Sequence, residues 1–301
     1  MLDVLPLEVV VRIGELGRWN KETFLALCQV SKKYRNTVQA LRPFAERFDL
    51  DYDGRGNGNA DIAPPETIEH LWFMNWRTDN PQVARRLSSI AYCLTFYGVG
   101  SSITNEDVSA LGSVHNVSFY KCNRITDVSA LGGVHNLTLD GCHEIKDVSA
   151  LGGVHNLNLE RCNRISNVSA LGGVHSLTLF GCNRITDVSA LGGVHNLTVL
   201  ACNEIADVSA LGGVHNLILE DCFGIRDVSA LGGVHNLSIQ HCIWIRDVSA
   251  LGGVYNLSLY WCDEITSVSA LGVVHTLSLH GCNGIADVSA LGGVHNFIFH
   301  E

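Results

Sequence analysis

The chain has 301 residues and a formal net charge of −10 at pH 7, and 47% of its residues are hydrophobic. This composition supports a sizeable buried core, and the acidic balance argues against nucleic acid as a partner because its phosphates repel a negative surface. No basic stretch followed by an apolar one comes after Met1, and no apolar run is long enough for a membrane helix. We therefore expect neither secretion nor membrane insertion. The protein is expected to be intracellular and cytoplasmic.

The first 46 residues are predicted to form three helices. An amphipathic segment begins at Leu5 and has Pro6 in its first turn, where proline is tolerated. Residues 21–27 have the apolar spacing of a second helix, and Ser31 is a suitable N-cap for a third. A helical segment at this place also suits the polar cap that the open end of a repeat stack requires.

This segment resembles an F-box over residues 3–45. The resemblance rests on a Leu-Pro-x-Glu-Val run that begins at Leu5 and a Val-Ser-Lys-Lys-Tyr-Arg run that begins at Val30. The chain departs from the family at Tyr34, where tryptophan is commoner, and at Gly14 and Gly17, which interrupt the first helix. The resemblance implies docking on the Skp-family adaptor of a cullin scaffold. The residues it assigns to that contact are Leu5, Pro6, Glu8, Val9, Ile13, Val30, Ser31, Tyr34 and Arg35.

Residues 47–106 are predicted to contain irregular, degenerate repeats. Pairs of apolar residues separated by one residue, the spacing of side chains on one face of a strand, recur in this region. The pairs are Phe48 and Leu50, Leu71 and Phe73, and Leu94 and Phe96. Residues 51–65 are rich in Gly, Asn and Asp and are predicted to be a loop.

Residues 107–301 hold ten copies of one 20-residue unit, marked by Asp-Val-Ser-Ala-Leu. When Val134 is counted as position one, apolar residues fall at positions one, four, six, nine, twelve, fifteen and eighteen. Positions four and six have the two-residue period of a short strand, and the later spacing of three suits a turn of 3₁₀ or α helix. Such a unit buries its apolar side only against the next copy, so the repeats are predicted to stack as a solenoid.

The unit resembles the leucine-rich repeat, and its cysteine at position nine is similar to that of the cysteine-containing repeats in F-box proteins. The resemblance implies an α/β solenoid, a horseshoe with a parallel β-sheet on its concave face and short helical turns on its convex face. The predicted organisation is an F-box-like three-helix segment at residues 1–46, degenerate repeats at 47–106 and ten regular repeats at 107–301.

Two fixed columns of the repeat are predicted to shape its turns. Position fourteen is Asp except at Asn167 and Ser267, and all three residue types are N-caps that accept a hydrogen bond from a backbone N–H two or three residues on. The first glycine of the Gly-Gly pair, Gly112 in the first copy, never varies, and it is predicted to close the turn in the left-handed conformation. The second glycine is replaced at Ser113 and Val273.

Three further columns consist of cysteine, histidine and asparagine, and the first two raise the question of a disulfide or a metal site. The cysteines from Cys122 to Cys282 are predicted to be buried free thiols in a reducing compartment, because parallel Cβ vectors suit disulfides poorly and no Cys-x-x-Cys spacing occurs. Position two is His in nine copies and Tyr255 in one, which favours ring stacking over metal coordination. Position three is Asn in eight copies, either as an amide row or as solvent-facing polar filler.

The variable positions are the candidate binding surface. Positions five and seven alternate with the buried leucines, so they are predicted to project from the open face of the sheet. Aromatic and charged side chains at positions seven and eight share one exposed stripe, beside Phe223 and Trp244 at positions ten and eleven. Such a group is typical of an interaction patch, although drift at positions free of packing would also produce variability. The candidate target-binding residues are Tyr120, Lys121, Asp140, Glu160, Arg161, Phe180, Leu200, Glu220, Asp221, Gln240, His241, Trp244, Tyr260, Trp261 and His280.

These patterns indicate a non-enzymatic protein-binding adaptor. By resemblance, it is the substrate-recognition subunit of a cullin-based, SCF-type ubiquitin ligase that holds an unidentified target protein on the concave face. The alternative is a leucine-rich-repeat interaction scaffold without ubiquitin coupling. A structural or virion protein would fit the near-identical repeats, but not the F-box-like segment.

Several other classes are disfavoured by the sequence. No nucleophile–base pairing, paired-carboxylate motif or phosphate-binding loop occurs, so no catalytic residue, metal or cofactor is expected. Bacterial surface leucine-rich proteins, which the repeat also resembles, are disfavoured by the expected lack of secretion. The chain is expected to be monomeric outside its complex. Its uniform repeats suggest recent expansion, as in large-genome viruses of eukaryotes, and the host cytoplasm would then be its location.

Overall fold

The computed structural model describes residues 71–77, 91–97 and 103–300. In these residues one parallel sheet contains twelve strands, and each strand pairs with its neighbours in the sequence. The strands are β1 (Leu71–Arg77), β2 (Ala91–Tyr97), β3 (Asn116–Tyr120), β4 (Asn136–Asp140), β5 (Asn156–Glu160), β6 (Ser176–Phe180), β7 (Asn196–Leu200), β8 (Asn216–Glu220), β9 (Asn236–Gln240), β10 (Asn256–Tyr260), β11 (Thr276–His280) and β12 (Asn296–His300).

Short helical turns connect the strands. A four-residue helix, α1 (Asn105–Val108), precedes β3, and five-residue 3₁₀ helices precede each later strand. The prediction of short turns in place of full helices is confirmed. The 3₁₀ helices are Ser129–Gly133, Ser149–Gly153, Ser169–Gly173, Ser189–Gly193, Ser209–Gly213, Ser229–Gly233, Ser249–Gly253, Ser269–Val273 and Ser289–Gly293.

Equivalent positions of successive repeats lie opposite one another from β3 to β12, as Leu137 and Leu157 do. Each repeat, called a coil from here on, therefore adds one strand to the sheet without a slip in register. The first strand is less regular, because a shift in register brings Trp76, not Leu71, opposite Leu94. Phe48 and Leu50, and the whole F-box-like segment at residues 1–46, lie outside the described residues, so the predicted domain boundaries stay predictions.

The apolar columns form one continuous core between the sheet and the 3₁₀ helices. Every predicted apolar position of the unit that begins at Val134 is at most 1% exposed. Full burial of such a side chain stabilises a fold by roughly 1.5–3 kcal/mol, and the neighbouring coils supply most of the cover. The residues of this unit are Val134, Leu137, Leu139, Cys142, Ile145, Val148 and Leu151.

The acidic column at position fourteen holds the start of each 3₁₀ helix. Asp147 Oδ1 accepts a hydrogen bond from the N–H of Ser149 at 2.8 Å, and Asn167 Oδ1 accepts one from Ser169 at 2.9 Å. The bond reaches two residues on, as predicted, but the residue at the formal N-cap is Val148. This N–H stabilises the charged carboxylate and so lowers the pKa of Asp147.

Two copies of this column have other partners. Asp107 lies inside α1 and accepts hydrogen bonds from the backbone N–H and the hydroxyl of Thr104, at 2.9 and 3.0 Å. The hydroxyl of Ser267 lies 3.2 Å from the hydroxyl of Ser269. The column therefore needs a hydrogen-bond acceptor more than it needs a charge.

We expect Asp207→Ala to lower the free energy of unfolding and Asp207→Asn to leave it nearly unchanged. Asp207 Oδ1 accepts the N–H of Ser209 at 2.8 Å, and the Asn167 amide makes the same bond in its own coil. Urea unfolding followed by circular dichroism would measure both. Equal losses in the two variants would contradict the acceptor role and assign importance to the negative charge.

The first glycine of the pair is fixed by close packing, so the prediction of a left-handed backbone there was wrong. A Cβ added at Gly132 would lie 2.3 Å from the carbonyl oxygen of Ala150 in the next coil. The second glycine is packed less tightly in most coils: the nearest atom to an added Cβ would be 3.4 Å away at Gly133, 3.2 Å at Gly173 and 2.8 Å at Gly233. This column also admits Ser113 and Val273. Among the described glycines, those with positive φ are Gly141, Gly181 and Gly281, which stand at position eight.

The nine cysteines from Cys122 to Cys282 are buried and free, as predicted. Each thiol lies near a carbonyl oxygen of the preceding coil: Cys162 Sγ is 3.3 Å from Leu139 O, for example. Burial raises the pKa of Cys162 and Cys182 to about 12 and that of Cys202 to about 11. The thiols of Cys162, Cys182 and Cys202 therefore stay protonated and are poor nucleophiles.

The asparagines at position three form a hydrogen-bonded row. Asn256 Nδ2 donates to Asn236 Oδ1 at 2.6 Å, and Asn196 Nδ2 donates to the hydroxyl of Ser176 at 2.9 Å. The side chains are half-buried. Of the two alternatives that the sequence left open, the structure favours the amide row.

The rings at position two stack along the solenoid. His155 and His175 have centroids 4.6 Å apart and planes 5° apart. Tyr255 continues the column, with its centroid 4.8 Å from that of His235 and 4.4 Å from that of His275. The prediction of ring stacking is confirmed.

We expect the stability of the stack to fall as the pH drops from about 7.5 to 5.5. Partial desolvation, and then the neighbouring rings of His135 and His175, lower the pKa of His155 below 6.5. The unfolded chain then binds more protons, so the contribution is present above the ordinary pKa and is lost as the pH falls through it. Changing His155 to Gln should reduce the loss of melting temperature over this range. Equal losses would contradict the coupling of the rings.

Candidate functional site

The open face of the sheet begins with a row of small polar side chains at position five. They are half-buried from Ser118 to Ser258 except at Ile218, whose side chain is 37% exposed. The buried leucines at positions four and six lie on the opposite face. The small side chains leave this face accessible to a partner along most of the sheet. The half-buried members are Ser118, Thr138, Asn158, Thr178, Thr198, Ser238 and Ser258.

Position eight follows each strand and adopts the left-handed conformation in every coil from Lys121 to Gly281, with φ between 50° and 63°. This conformation aims the backbone N–H at the carbonyl of position seven in the next coil, as from Trp261 to His280 at 2.8 Å. The turn therefore continues the ladder of the sheet by one bond. Glycine adopts this conformation freely, whereas other residues are strained by roughly 1–2 kcal/mol.

Six of these nine positions nevertheless carry a side chain, and most of these are large. Since glycine would be less strained, these side chains are candidates for a function that repays the strain. This backbone feature was not predicted from the sequence, although the glycines at Gly141, Gly181 and Gly281 were its signal. The strained residues are Lys121, Arg161, Ala201, Asp221, His241 and Trp261.

Charged side chains dominate the face near β4 and β5. Arg161 Nη2 lies 2.6 Å from both carboxylate oxygens of Asp140, and the guanidinium carbon lies 5.6 Å from the centroid of the Phe180 ring. Asn158 Nδ2 donates to Glu160 Oε1 at 2.6 Å. Asp140 was predicted to contact a target, but it is 8% exposed and is engaged by Arg161. It orients the guanidinium, and Arg161 is the side chain presented to solvent.

Aromatic rings cluster near β10 and β11. The rings of His241 and Trp261 stack with centroids 4.6 Å apart, and His280 meets Trp261 edge-on at 5.0 Å. Trp261 remains 41% exposed, and the hydroxyl of Tyr260 lies 3.3 Å from that of Ser278. The stack fixes the indole in one orientation, so it presents a rigid apolar edge to a partner.

The acidic residues Glu220 and Asp221 lie between these two groups. His241 Nδ1 lies 3.4 Å from Asp221 Oδ1. Within the part of the chain that the structure describes, no ion pair joins a lysine or arginine to either carboxylate. With Ile218 on the same strand, they form a centre that combines negative charge with one exposed apolar side chain.

The remaining predicted residues divide by location. Leu200 and Gln240 are half-buried at position seven, at the ends of β7 and β9. Tyr120 ends β3, and Lys121 follows it on an exposed turn. Trp244 is not part of the sheet but lies in the turn after β9. The predicted adaptor-binding residues from Leu5 to Arg35 lie outside the described residues.

Neither a metal site nor a membrane span is found in residues 71–77, 91–97 and 103–300. No three His, Cys, Asp or Glu side chains of this part are grouped as a metal site would require. No helix within it has the length and apolar character needed to cross a bilayer.

A scan against protein-family models finds no match for the chain. A search of curated proteins finds none either. Solved structures of similar fold include an internalin (inlF) from Listeria monocytogenes, with 19% identity, a TM-score of 0.51 and coverage of 78% of this chain and 88% of the internalin.

Two other solved structures are similar over large parts of the chain. The functional domain of InlJ from Listeria monocytogenes, which includes a cysteine ladder, is 17% identical with a TM-score of 0.40, covering 73% of this chain and 59% of that one. The leucine-rich repeat domain of the type III effector XCV3220 (XopL) is 14% identical with a TM-score of 0.34, covering 99% and 96%. The similarity to the inlF internalin concerns the fold alone. The fold is a leucine-rich-repeat solenoid with a parallel sheet and short helical turns.

Proposed function

We propose that this leucine-rich-repeat solenoid is a non-enzymatic protein-binding module. Its contact surface is the binding face, which we define as the open side of the sheet at positions five and seven together with the side chains of position eight. The observation that carries the proposal is the left-handed column at position eight, where Arg161, Asp221, His241 and Trp261 stand in a conformation that glycine adopts with less strain.

The chemistry of the binding face suits a protein partner. Trp261 and Tyr260 offer amphipathic rings with little side-chain entropy to lose, and Arg161 is held by Asp140 in a forked ion pair. Tryptophan, tyrosine and arginine are the residues on which binding energy concentrates in protein interfaces. The carboxylates of Glu220 and Asp221 add a preference for a partner with basic residues at the centre.

The proposal predicts that removing the aromatic cluster weakens partner binding without weakening the fold. The test variant carries Tyr260→Gln and Trp261→Gly. Both new residues already occur at the same positions of other coils, as Gln240 and Gly281, so the fold accommodates them. The glycine also relieves a φ of 52° at position 261. Quantitative co-purification from eukaryotic lysate should recover at least one protein in amounts that fall in the variant, with an unchanged melting temperature. Identical recoveries would contradict the proposal.

We further propose that the N-terminal segment couples this module to ubiquitin ligation inside the cell. The support is the resemblance of residues 3–45 to an F-box, in particular the Leu-Pro-x-Glu-Val run at Leu5 and the Val-Ser-Lys-Lys-Tyr-Arg run at Val30. The Skp-family adaptor and the cullin scaffold would then be partners at one end, and the target protein would lie on the binding face. The free thiols of the cysteine column agree with a reducing compartment.

Replacing Leu5 and Pro6 by Ala is expected to abolish co-precipitation of the Skp-family adaptor while the circular dichroism spectrum stays unchanged. The two residues begin the motif, and their apolar side chains would form part of the docking surface. If the wild-type chain co-precipitates neither the adaptor nor the cullin, the ubiquitin proposal is contradicted. The alternative, an interaction scaffold without ubiquitin coupling, would then be favoured.

A further inference from the structure

Two neighbouring coils carry exposed apolar side chains outside the sheet. Phe223 and Ile243 occupy position ten in successive coils and are 42% and 38% exposed, and Trp244 at position eleven is 42% exposed. All three lie in the turns that follow β8 and β9. We call these three residues the turn patch. A contiguous exposed apolar group of this kind is typical of an interaction site.

Position ten has a structural role in other coils. The side-chain oxygen of Asn123 accepts a hydrogen bond from the backbone N–H of His143 at 3.0 Å, and that of Asn203 accepts one from Phe223 at 3.3 Å. An oxygen-bearing side chain thus links its coil to the next. Phe223 and Ile243 lack this oxygen, and in the described part of the chain no side chain accepts from the N–H of Ile243.

Trp244 departs from its column in the same direction. Position eleven is otherwise an arginine, a glutamate or a glycine, as in Arg124, Glu204 and Gly284. Position ten is otherwise Asn, His143 or Asp263, so the large apolar side chains at positions ten and eleven occur only in these two adjacent coils of the described repeats. At Phe223 and Ile243 the side chain of position ten makes no hydrogen bond to the next coil, and it exposes apolar surface instead. Such surface favours contact with another molecule.

A cation lies at the edge of the turn patch. The guanidinium carbon of Arg226 lies 5.4 Å from the centroid of the Trp244 ring. Among the ion pairs of the described residues none includes Arg226, whereas Arg246 in the same column of the next coil lies 3.0 Å from Glu264. A partner that covers Trp244 would partly desolvate Arg226, so a carboxylate beside its apolar side chains would be favoured.

We propose that the turn patch is a second docking surface, which receives a protein segment with apolar side chains beside an aspartate or glutamate. The proposal goes beyond the binding face, because the turn patch contains no residue of positions five, seven or eight. It also differs in charge preference, since Glu220 and Asp221 favour basic residues and Arg226 favours acidic ones.

The experiment uses the full chain and a restored variant with Phe223→Asn, Ile243→Asn and Trp244→Arg. These are residues that other coils carry at the same positions, as at Asn203 and Arg124, so the variant is expected to melt no lower than wild type. A random peptide library displayed on phage is selected for binding to wild type. Phage that also bind the restored variant are removed, because their peptides do not depend on the turn patch. Synthetic copies of the enriched peptides are then measured by fluorescence anisotropy.

We expect the enriched peptides to combine apolar residues with Asp or Glu and to bind wild type at least about tenfold more tightly than the restored variant. Arg226→Gln should weaken the acidic peptides several-fold and leave their Asn or Gln analogues unaffected. The Tyr260→Gln and Trp261→Gly variant should bind the same peptides as wild type does, which separates this surface from the binding face.

Three outcomes would overturn the proposal: no peptide that distinguishes wild type from the restored variant, no effect of Arg226→Gln on acidic peptides, or equal losses in the binding-face variant. If the restored variant melts below wild type, Trp244→Arg alone replaces it, because a single exposed change in a turn disturbs the stack less. That variant must then lose binding as well for the proposal to stand.

Discussion

Leu197→Ala is expected to lower the free energy of unfolding by about 2–5 kcal/mol. Leu197 is 1% exposed and lies in β7, opposite Leu177 on one side and Leu217 on the other. The cavity would open between coils that are otherwise identical in sequence at this position, and neither neighbour can move in without losing its own register. Urea unfolding of wild type and of the Leu197→Ala variant, followed by circular dichroism, measures the loss of unfolding free energy.

The matched control for this variant is Thr198→Ala, one residue further along the same strand. Thr198 is half-buried on the open face of the sheet, so its truncation removes much less buried surface. A loss as large as that of Leu197→Ala would show that the two faces of the sheet are not distinguished by packing. Such a result would contradict the assignment of inner and outer positions on which the binding face depends.

Gly132→Ala is expected to destabilise the stack by about 1–3 kcal/mol or more. The added Cβ would lie 2.3 Å from the backbone carbonyl oxygen of Ala150, which cannot turn away as a flexible side chain would. Gly133→Ala places its Cβ 3.4 Å from the nearest atom and should be close to neutral. Thermal melts of the two variants compare neighbouring glycines in the same turn. Equal effects would contradict the close-packing explanation for the invariant glycine.

The repeat itself made most of the fold predictable. Ten copies act as an internal alignment, so comparing them with one another separates the fixed apolar columns, the cysteine column and the ring column at position two from the variable columns. Buried positions such as Leu139 and Cys142 are constrained by both neighbouring coils, and this is why their pattern survives in every copy.

Other features required the structure because the sequence pattern does not encode distance. An invariant glycine is compatible with a left-handed backbone or with a close contact, and only the 2.3 Å approach at Gly132 distinguishes them. Position eight looks freely variable in the sequence. Gly141 and Gly181 are typical of a left-handed backbone, but Arg161 and Trp261 in the same column are not, so the conformation was not predicted.

The candidate site was predictable in part for the same reason. The sequence placed Tyr260 and Trp261 on an exposed stripe, but it gave no means of knowing that Asp140 is covered by Arg161. It placed Trp244 beside this stripe at position eleven, and the structure locates this residue in the turn after β9. Contacts between coils depend on side-chain conformations that a list of columns does not contain.

Site-directed photo-crosslinking tests the central claim, that a protein partner lies on the binding face, most directly. A photoreactive phenylalanine analogue is placed at Thr198 on the open face of the sheet or at Ala210 on the exposed side of a 3₁₀ helix. In eukaryotic lysate, the Thr198 probe should yield a discrete crosslinked protein that the Ala210 probe does not. This product should disappear when Tyr260→Gln and Trp261→Gly are added. Identical products from both probes, or a product from the Ala210 probe alone, would contradict the account.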